Sequence, residues 1–259
     1  VGEYLAGCVR GTLEKARLVA TDIDAIVFFS STLDAYNEAD DLARAAADLG
    51  LTNALPLGLT LGQCTNYSTA LVVARGLIES SGLSTVLLLG SDRLDEGRAS
   101  RVFAERISVY SDGVVSCIVT REPRTGFQIG QIQHQFLPAI SRLDARRDFL
   151  AFLQMFSTGM REASRKLCLK AGLTADAYTR LIPANLNISV LRNFAELVGV
   201  PFERMYTDNV GKYGHTFAYD QLISLETLLA EQRVESGQRF MLVGVGGNYL
   251  FSALDCSVC

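Results

Sequence analysis

Leu57-Gly58-Leu59-Thr60-Leu61-Gly62-Gln63-Cys64 is short, apolar and punctuated by glycine, and it runs straight into Thr65-Asn66-Tyr67-Ser68-Thr69-Ala70-Leu71-Val72-Val73-Ala74-Arg75-Gly76-Leu77-Ile78-Glu79-Ser80. The first stretch reads as a strand entering a turn. The second carries apolar residues at Ala70, Leu71, Val73, Ala74, Leu77 and Ile78, the spacing of a helix. A buried-type strand, Ser84 to Gly90, follows. The same order recurs further on. Arg204-Met205-Tyr206-Thr207 leads through a turn bearing Gly211 and Gly214 to His215, then a helix from Thr216 to Glu231 and a strand from Arg239 to Gly244. Strand, reactive-type residue, helix and buried strand thus occur twice. This is the pattern of a pseudo-repeat with Cys64 and His215 facing each other at its centre.

The rest of the chain fits around those two units. Glu3 to Ala20 reads as an amphipathic helix, Asp24 to Ser30 as a strand buried on both faces, and Ala39 to Leu49 as a helix closed by Gly50. Asp112 to Thr120 and Phe127 to Phe136 read as strands, and Ser141 to Asp148 as a polar loop. Phe149 to Ala171 reads as a long helix, Thr179 to Ile182 as a strand halted by Pro183, Ile188 to Val198 as a helix ended by Gly199, and Tyr249 to Leu254 as a closing strand. Helices alternating with apolar strands predict an α/β fold with helix-covered sheets. Two fused halves are expected, residues 1–121 with the cysteine and 122–259 with the histidine. No Pro-, Gly- or Ser-rich linker separates them.

The 259 residues are 49% hydrophobic, enough for a large core. Lys and Arg number 24 against 28 Asp and Glu, a net charge of −4, which offers no general field for nucleic acid. No apolar run reaches the ~18 residues of a membrane span, and no signal peptide opens the chain. The cysteines at 8, 64, 117, 168, 256 and 259 form no metal-type pairs, Cys256 and Cys259 lacking partner ligands, and with two histidines a metal site is not expected. Scattered thiols point to a reducing, cytoplasmic setting.

A thiol attacks as thiolate, and a helix N-terminus favours that form through its oriented N–H groups. Cys64 is read at such a position. His215 is read as the base that takes the thiol proton, and Asp220, five residues on, as the group that holds the other ring nitrogen. The Cys64 N–H and an N–H from the turn Val245-Gly246-Gly247-Asn248, taken at Gly247, would form an oxyanion hole. Each feature also has a plainer reading: a packed cysteine, a capping histidine, a solvated first-turn acid, a simple glycine turn. His134, alternating with apolar neighbours, reads as a solvated strand residue without a role. Cys8, Cys117 and Cys168 read as core. The apolar run Phe149 to Phe156 reads as core or as the wall of an acyl or aglycone pocket.

With Gln63-Cys64-Thr65-Asn66, the strand Ser84-Thr85-Val86-Leu87-Leu88-Leu89-Gly90-Ser91-Asp92, Ser111-Asp112-Gly113 and the terminal Gly244-Val245-Gly246-Gly247-Asn248-Tyr249-Leu250-Phe251-Ser252-Ala253-Leu254 in this order and spacing, the chain resembles the thiolase-fold condensing enzymes of the ketoacyl-ACP synthase III type. The resemblance implies a layered α-β-α-β-α architecture and a strand and helix region preceding Val1. In those enzymes a Pro-His-Gln-Ala-Asn stretch supplies a histidine and a Gly-Asn-Thr stretch an asparagine. Here the first reads Pro183-Ala184-Asn185-Leu186-Asn187 and the second Gly214-His215-Thr216. Histidine therefore stands at the asparagine position and alanine at the histidine position. That pattern resembles the acyltransferase branch found in antibiotic pathways, of the cervimycin malonyltransferase type, with a Cys-His-Asp triad matched by Cys64, His215 and Asp220.

The resemblance implies an acyl donor presented as an acyl-carrier protein phosphopantetheine or CoA thioester, with no permanently bound cofactor. It implies a sugar or polyketide acceptor acylated on a hydroxyl or amine. It also implies a homodimer joined edge to edge, with Ser84 to Gly90 as the expected edge strand. A starter-unit ketosynthase and a catalytically silent dimer partner remain open alternatives. Arg142, Arg146, Arg147, Arg161, Arg165 and Lys166 form a basic concentration suited to an acidic carrier.

Overall fold

The computed structural model describes residues 2–32, 35–95, 97, 100–103, 107–121 and 125–259, with 35–38 described by backbone alone. In chain order the elements are α1 (Gly2–Ala16), β1 (Ala25–Phe29), α2 (Ala35–Leu49), β2 (Leu55–Leu59), α3 (Asn66–Ser80), β3 (Thr85–Asp92), β4 (Val102–Phe103), β5 (Ser108–Val109) and β6 (Gly113–Thr120). Then come β7 (Phe127–Phe136), α4 (Phe149–Ala171), β8 (Arg180–Ile182), α5 (Ile188–Val198), α6 (Val210–Tyr213), α7 (Asp220–Ala230), β9 (Arg239–Val245) and β10 (Leu250–Val258).

Two four-stranded sheets run in the orders β2-β1-β3-β6 and β7-β10-β9-β8. Their continuous apolar strands are buried on both faces, and alternation along each strand assigns the faces. Ala25, Val27 and Phe29 of β1 and Val86 and Leu88 of β3 pack with Tyr67, Ala70, Ala74, Leu225 and Leu228. Phe240 and Leu242 of β9 join the same core, so α3 and α7 lie between the sheets. Ile26, Phe28, Leu87 and Leu89 turn the other way, onto Leu5, Val9 and Leu13 of α1 and Ala45 of α2. Met241 and Val243 face Met160, Ala163 and Leu167 of α4 and Leu191 and Phe194 of α5. The layers are therefore α1/α2, sheet, α3/α7, sheet, α4/α5. Burying a large apolar side chain contributes roughly 1.5–3 kcal/mol, so a strand such as β1, buried at all five positions, anchors two layers at once.

The sheets repeat one topology. β1 pairs in parallel with β2 and β3, and β3 antiparallel with β6. In the second sheet β8 pairs in parallel with β9, Leu181 makes a parallel bridge to Met205, and β9 pairs antiparallel with β10. The stretch around Met205 thus takes the place of β2 by a single bridge rather than a full strand. β7 adds to the outer edge of β10, and the corresponding edge of β6 has no neighbouring strand among the described residues. The boundary expected between residues 121 and 122 falls beside 122–124, which lie outside the described residues.

One expectation is corrected here. Ser84 to Gly90 is not an edge: β3 lies between β1 and β6 and is buried from Val86 to Asp92. Its apolar run is that of an interior strand. The edge strands of this sheet among the described residues are β2, where Leu55, Pro56 and Gly58 are exposed, and β6.

Candidate functional site: a buried histidine–aspartate pair against Cys64

Cys64 sits in a 3-10 turn, Gln63–Thr65, that feeds α3 at Asn66. The turn is tight. Gln63 has φ of 46°, a left-handed conformation uncommon for a side-chain-bearing residue. Both the N–H and the hydroxyl of Thr65 donate to the Gly62 carbonyl, at 3.0 and 2.7 Å. Asn66 donates through its amide to the carbonyls of Ser30 (2.8 Å) and Thr60 (3.1 Å), tying the turn to the end of β1. Cys64 is half-buried at the end of this sequence of anchors.

His215 is placed differently from the expectation. It does not open a helix: it forms a parallel bridge with Tyr110, its N–H donating to the Val109 carbonyl (2.8 Å) and its carbonyl accepting from Ser111 N–H (3.0 Å). Gly214 makes that path possible, with φ of 65° and ψ of −157°. A Cβ there would stand 2.5 Å from the Val109 carbonyl oxygen. The segment 216–219 is a turn, with Phe217 at φ 57°, and α7 begins at Asp220. Asp220 reaches back across this turn. Its Oδ1 accepts from Thr216 N–H (2.7 Å) and the Thr216 hydroxyl (2.6 Å), and its Oδ2 from Asn185 N–H (2.7 Å).

His215 Nδ1 donates to Asp220 Oδ2 at 2.5 Å, and both side chains are almost wholly buried, at 3% and 0% exposure. Cys64 acts on the imidazole as a neighbouring charge. With Nδ1 on Asp220, Nε2 is the nitrogen left for sulfur. Burial opposes a charge on His215, but the Asp220 carboxylate and the Cys64 thiolate outweigh it and raise the imidazole pKa from 6.5 to about 10. A buried acid therefore backs a basic imidazole on which Cys64 also acts.

The glycine turn also meets this place. A Cβ on Gly246 would lie 2.5 Å from the Gly62 carbonyl oxygen, and one on Gly247 2.5 Å from Gln63 Oε1. Asn248 donates its side-chain amide to the Leu61 carbonyl at 2.5 Å. Ala184 is buried beside Asn185, so the wall there carries a methyl group.

Three features were missed in the sequence. Thr216 and Asn185, which hold Asp220, carried no signal beyond adjacency to His215 and Pro183. The aromatic wall of Phe103, Tyr110 and Phe217 was not foreseen: Tyr110 stacks on Phe217 (4.6 Å, 7°) and on His215 (5.5 Å, 29°). His134 is half-buried rather than solvated: Ser68 Oγ donates to the Thr65 carbonyl (2.7 Å), so His134 Nε2–H donates to Ser68 Oγ at 2.9 Å. Burial, and then Lys170, lower its pKa.

Phe152 of α4 makes an edge contact with Tyr249 (6.1 Å), just after the glycine turn, whereas Phe149, Leu150 and Leu153 are exposed. Arg142, Arg146, Arg147 and Arg161 are exposed, Arg165 is held by Glu162 (2.7 Å) and Lys166 by Gln135 (2.7 Å). Among the described residues no group of three metal-type ligands occurs, and no helix is long and apolar enough to cross a membrane.

The family model of the 3-oxoacyl-[acyl-carrier-protein (ACP)] synthase III C terminal matches residues 168–255. The chain is 28% identical, over 98% of its length and 82% of the relative's, to the β-ketoacyl-[acyl-carrier-protein] synthase III of Chlamydia caviae. Its fold is similar to that of the acyltransferase ChlB3, with a TM-score of 0.86 at 15% identity over 99% of this chain and 84% of the other. It is also similar to that of the priming β-ketosynthase of the R1128 polyketide biosynthetic pathway, with a TM-score of 0.78 at 20% identity over 98% and 80%. The layered sheets and these likenesses together give the chain a fold similar to the thiolase fold of the ketoacyl-ACP synthase III enzymes.

Proposed function

We propose that the chain is an acyltransferase working through an acyl-cysteine, of the cervimycin malonyltransferase type, with Cys64 as nucleophile, His215 as base and Asp220 as the group that orients it. The observation that carries this reading is the buried His215–Asp220 bond, on an imidazole whose pKa Asp220 and Cys64 together raise. In loading, His215 Nε2 takes the thiol proton and Sγ attacks the carbonyl carbon of an acyl-carrier protein or CoA thioester. The oxyanion is held by the N–H groups of Cys64 and Gly247. It collapses, the carrier thiolate leaves and His215 returns the proton to it. In transfer, a hydroxyl or amine of a sugar or polyketide attacks the acyl carbon, His215 takes its proton, and the Cys64 thiolate departs and is reprotonated. No cofactor is required. Residues 1–121 supply the nucleophile, residues 122–259 the base and acid, and two copies pair as a homodimer.

A starter-unit ketosynthase is the second reading, favoured by the 28% identity to a β-ketoacyl synthase III. Decarboxylative condensation builds negative charge on an enolate oxygen. The site sets a buried carboxylate behind its one imidazole and an alanine, Ala184, where the resemblance places a second neutral donor. Repulsion from Asp220 disfavours the enolate, whereas acyl transfer needs only a thioester and a base. Intact-protein mass spectrometry with a panel of acyl thioesters tests the reading: an acyl adduct on Cys64, followed by an acylated acceptor without CO₂ release, is the expected result. Carbon–carbon bond formation with CO₂ release identifies the ketosynthase. Iodoacetamide labelling of Cys64 no faster than of Cys168 marks a silent partner.

A further inference from the structure

The cysteine turn breaks its own hydrogen-bond pattern at Cys64. In a 3-10 turn each N–H donates to the carbonyl three residues back. Gln63 N–H donates in this way to Thr60 O (3.0 Å) and Thr65 N–H to Gly62 O (3.0 Å). Between them, Cys64 N–H makes no such bond to Leu61. The Leu61 carbonyl accepts instead from the side-chain amide of Asn248, at 2.5 Å. Among the described residues the Cys64 N–H has no protein acceptor, and neither has the N–H of Gly247, the residue before Asn248. Gln63, with φ of 46°, bends the backbone at the break, and such a conformation persists only where its surroundings hold it.

Asn248 supplies that hold from the other half of the chain. Its Oδ1 accepts from Leu250 N–H (3.3 Å), Gly246 N–H donates to Leu250 O (2.8 Å) and Tyr249 N–H to Gly246 O (2.8 Å), so the glycine turn is closed on itself. The two turns stand in contact, since a Cβ on Gly246 would lie 2.5 Å from Gly62 O. The Asn248 amide is the hydrogen bond that joins them among the described residues.

We infer that Asn248 is a positioning residue: by occupying the Leu61 carbonyl it keeps the Cys64 N–H open for the oxyanion of an acyl group arriving on Cys64, and it holds the Gly247 N–H beside it. This rests on the acyl-cysteine reading above. No bond is made or broken at Asn248, and His215 keeps all proton transfer. Without the amide, Leu61 O is left to the Cys64 N–H, which closes the turn and removes one donor.

The test sets two reactions of the same sulfur against each other in the parent, Asn248→Ala and Asn248→Asp. Acyl loading from the N-acetylcysteamine thioesters of acetate, butyrate and malonate passes through an oxyanion. Alkylation by iodoacetamide displaces iodide from a saturated carbon and forms none, so it reports the thiolate and its access alone. Both are read on the Cys64 peptide by mass, and thermal unfolding shows that the fold is kept. Asn248→Asp retains the acceptor for Leu250 N–H and loses only the donor to Leu61. The expected result in both variants is acyl loading slowed by about 10- to 100-fold, approaching the 10²–10³-fold of a donor lost outright, with alkylation changed less than about 2-fold. Equal slowing of the two reactions marks a merely structural role and overturns the inference, as does loading of either variant at the parent rate. A parent that takes iodoacetamide on Cys64 but no acyl group from any of the three thioesters removes the acyl-cysteine reading and this inference with it.

Discussion

Cys64→Ala should abolish acyl loading, because Cys64 lies in the turn that leads into α3 and acts on the His215 imidazole. A persisting adduct with turnover, read by intact mass, would exclude Cys64 as nucleophile. His215→Ala should slow both loading and transfer by about 10²–10⁴-fold, the span of a positioned general base. Asp220→Asn should cost less, since the amide spoils the orientation of the ring without removing it. Asparagine activity equal to that of the parent reduces the aspartate to a structural acid. The same pair also governs stability against pH. The folded imidazole titrates at about 10, raised from 6.5, so the folded state holds its proton more tightly than the unfolded chain. The stability this contributes is fully present below pH 6.5 and is lost as pH rises through about 10. The stability difference between the parent and His215→Ala, measured by denaturant titration at several pH values, should therefore shrink across that window. Cys64→Ala removes one of the charges that raise the pKa and should move the decline to lower pH. A difference that grows with pH would contradict the raised pKa.

Two glycines of one turn should respond differently, because what opposes an added methyl differs. At Gly246 the new Cβ meets the backbone carbonyl of Gly62 at 2.5 Å, whereas at Gly247 it meets the end of the flexible Gln63 side chain at the same distance. Gly246→Ala should destabilise the protein by about 1–3 kcal/mol, as overpacking does, and slow loading by shifting the cysteine turn; Gly247→Ala should do much less of either. Urea unfolding and loading kinetics of the two variants check this order. Gly214→Ala should be worse than both, since positive φ and the Val109 carbonyl oppose it together. Most elements were legible because their periods are simple. The reading of Phe127 to Phe136, Phe149 to Ala171 and Ile188 to Val198 agrees with β7, α4 and α5 in both bounds. The turn after His215 was not legible: Thr216 to Tyr219 carries helix-compatible residues, and only the backward reach of Asp220 onto Thr216 stops the helix there. The position of β3 was also illegible, because the run of four apolar residues from Val86 to Leu89 suits an interior strand and a dimer edge alike until its neighbours β1 and β6 are known. The turn at Cys64 was legible since the change of period falls on it, whereas the stack of Tyr110 on His215 and Phe217 joins residues more than a hundred positions apart and has no local signature.

At the scale of the whole molecule, β2 and β6 are the edges of the first sheet among the described residues, and a second copy that added strands would do so at one of them. Leu55 and Leu61 are 52% and 82% exposed, and Val72 of α3 is 45% exposed, apolar side chains that a monomer would leave in water. A homodimer at micromolar concentration by light scattering is expected, and Leu55→Lys with Leu61→Lys should shift it toward monomer; a monomeric parent excludes the pairing. The carrier makes a different demand. Arg142, Arg146 and Arg147 are exposed on the segment before α4, and Arg161 is exposed on α4 itself, whereas Glu162 offsets Arg165. The patch thus lies beside the exposed Phe149, Leu150 and Leu153, on the helix whose Phe152 touches Tyr249 after the glycine turn. An acidic acyl-carrier protein approaching this face would be steered by the arginines on a chain whose net charge is −4. Steering acts on the encounter, so raising salt should slow loading from the carrier, because charges are screened beyond about 8 Å at physiological ionic strength. A small thioester mimic carries no such charge and should load at nearly the same rate throughout. Arg146→Glu with Arg147→Glu should accordingly impair the carrier-bound donor by about 10-fold or more at low salt, within the 10–10³ range of electrostatic rate effects, and leave the mimic unchanged. Stopped-flow or quenched loading assays with both donors separate the cases: a common response to salt and to charge reversal removes the patch as a docking face and leaves CoA, or an unsteered encounter, as the route by which the acyl group reaches Cys64.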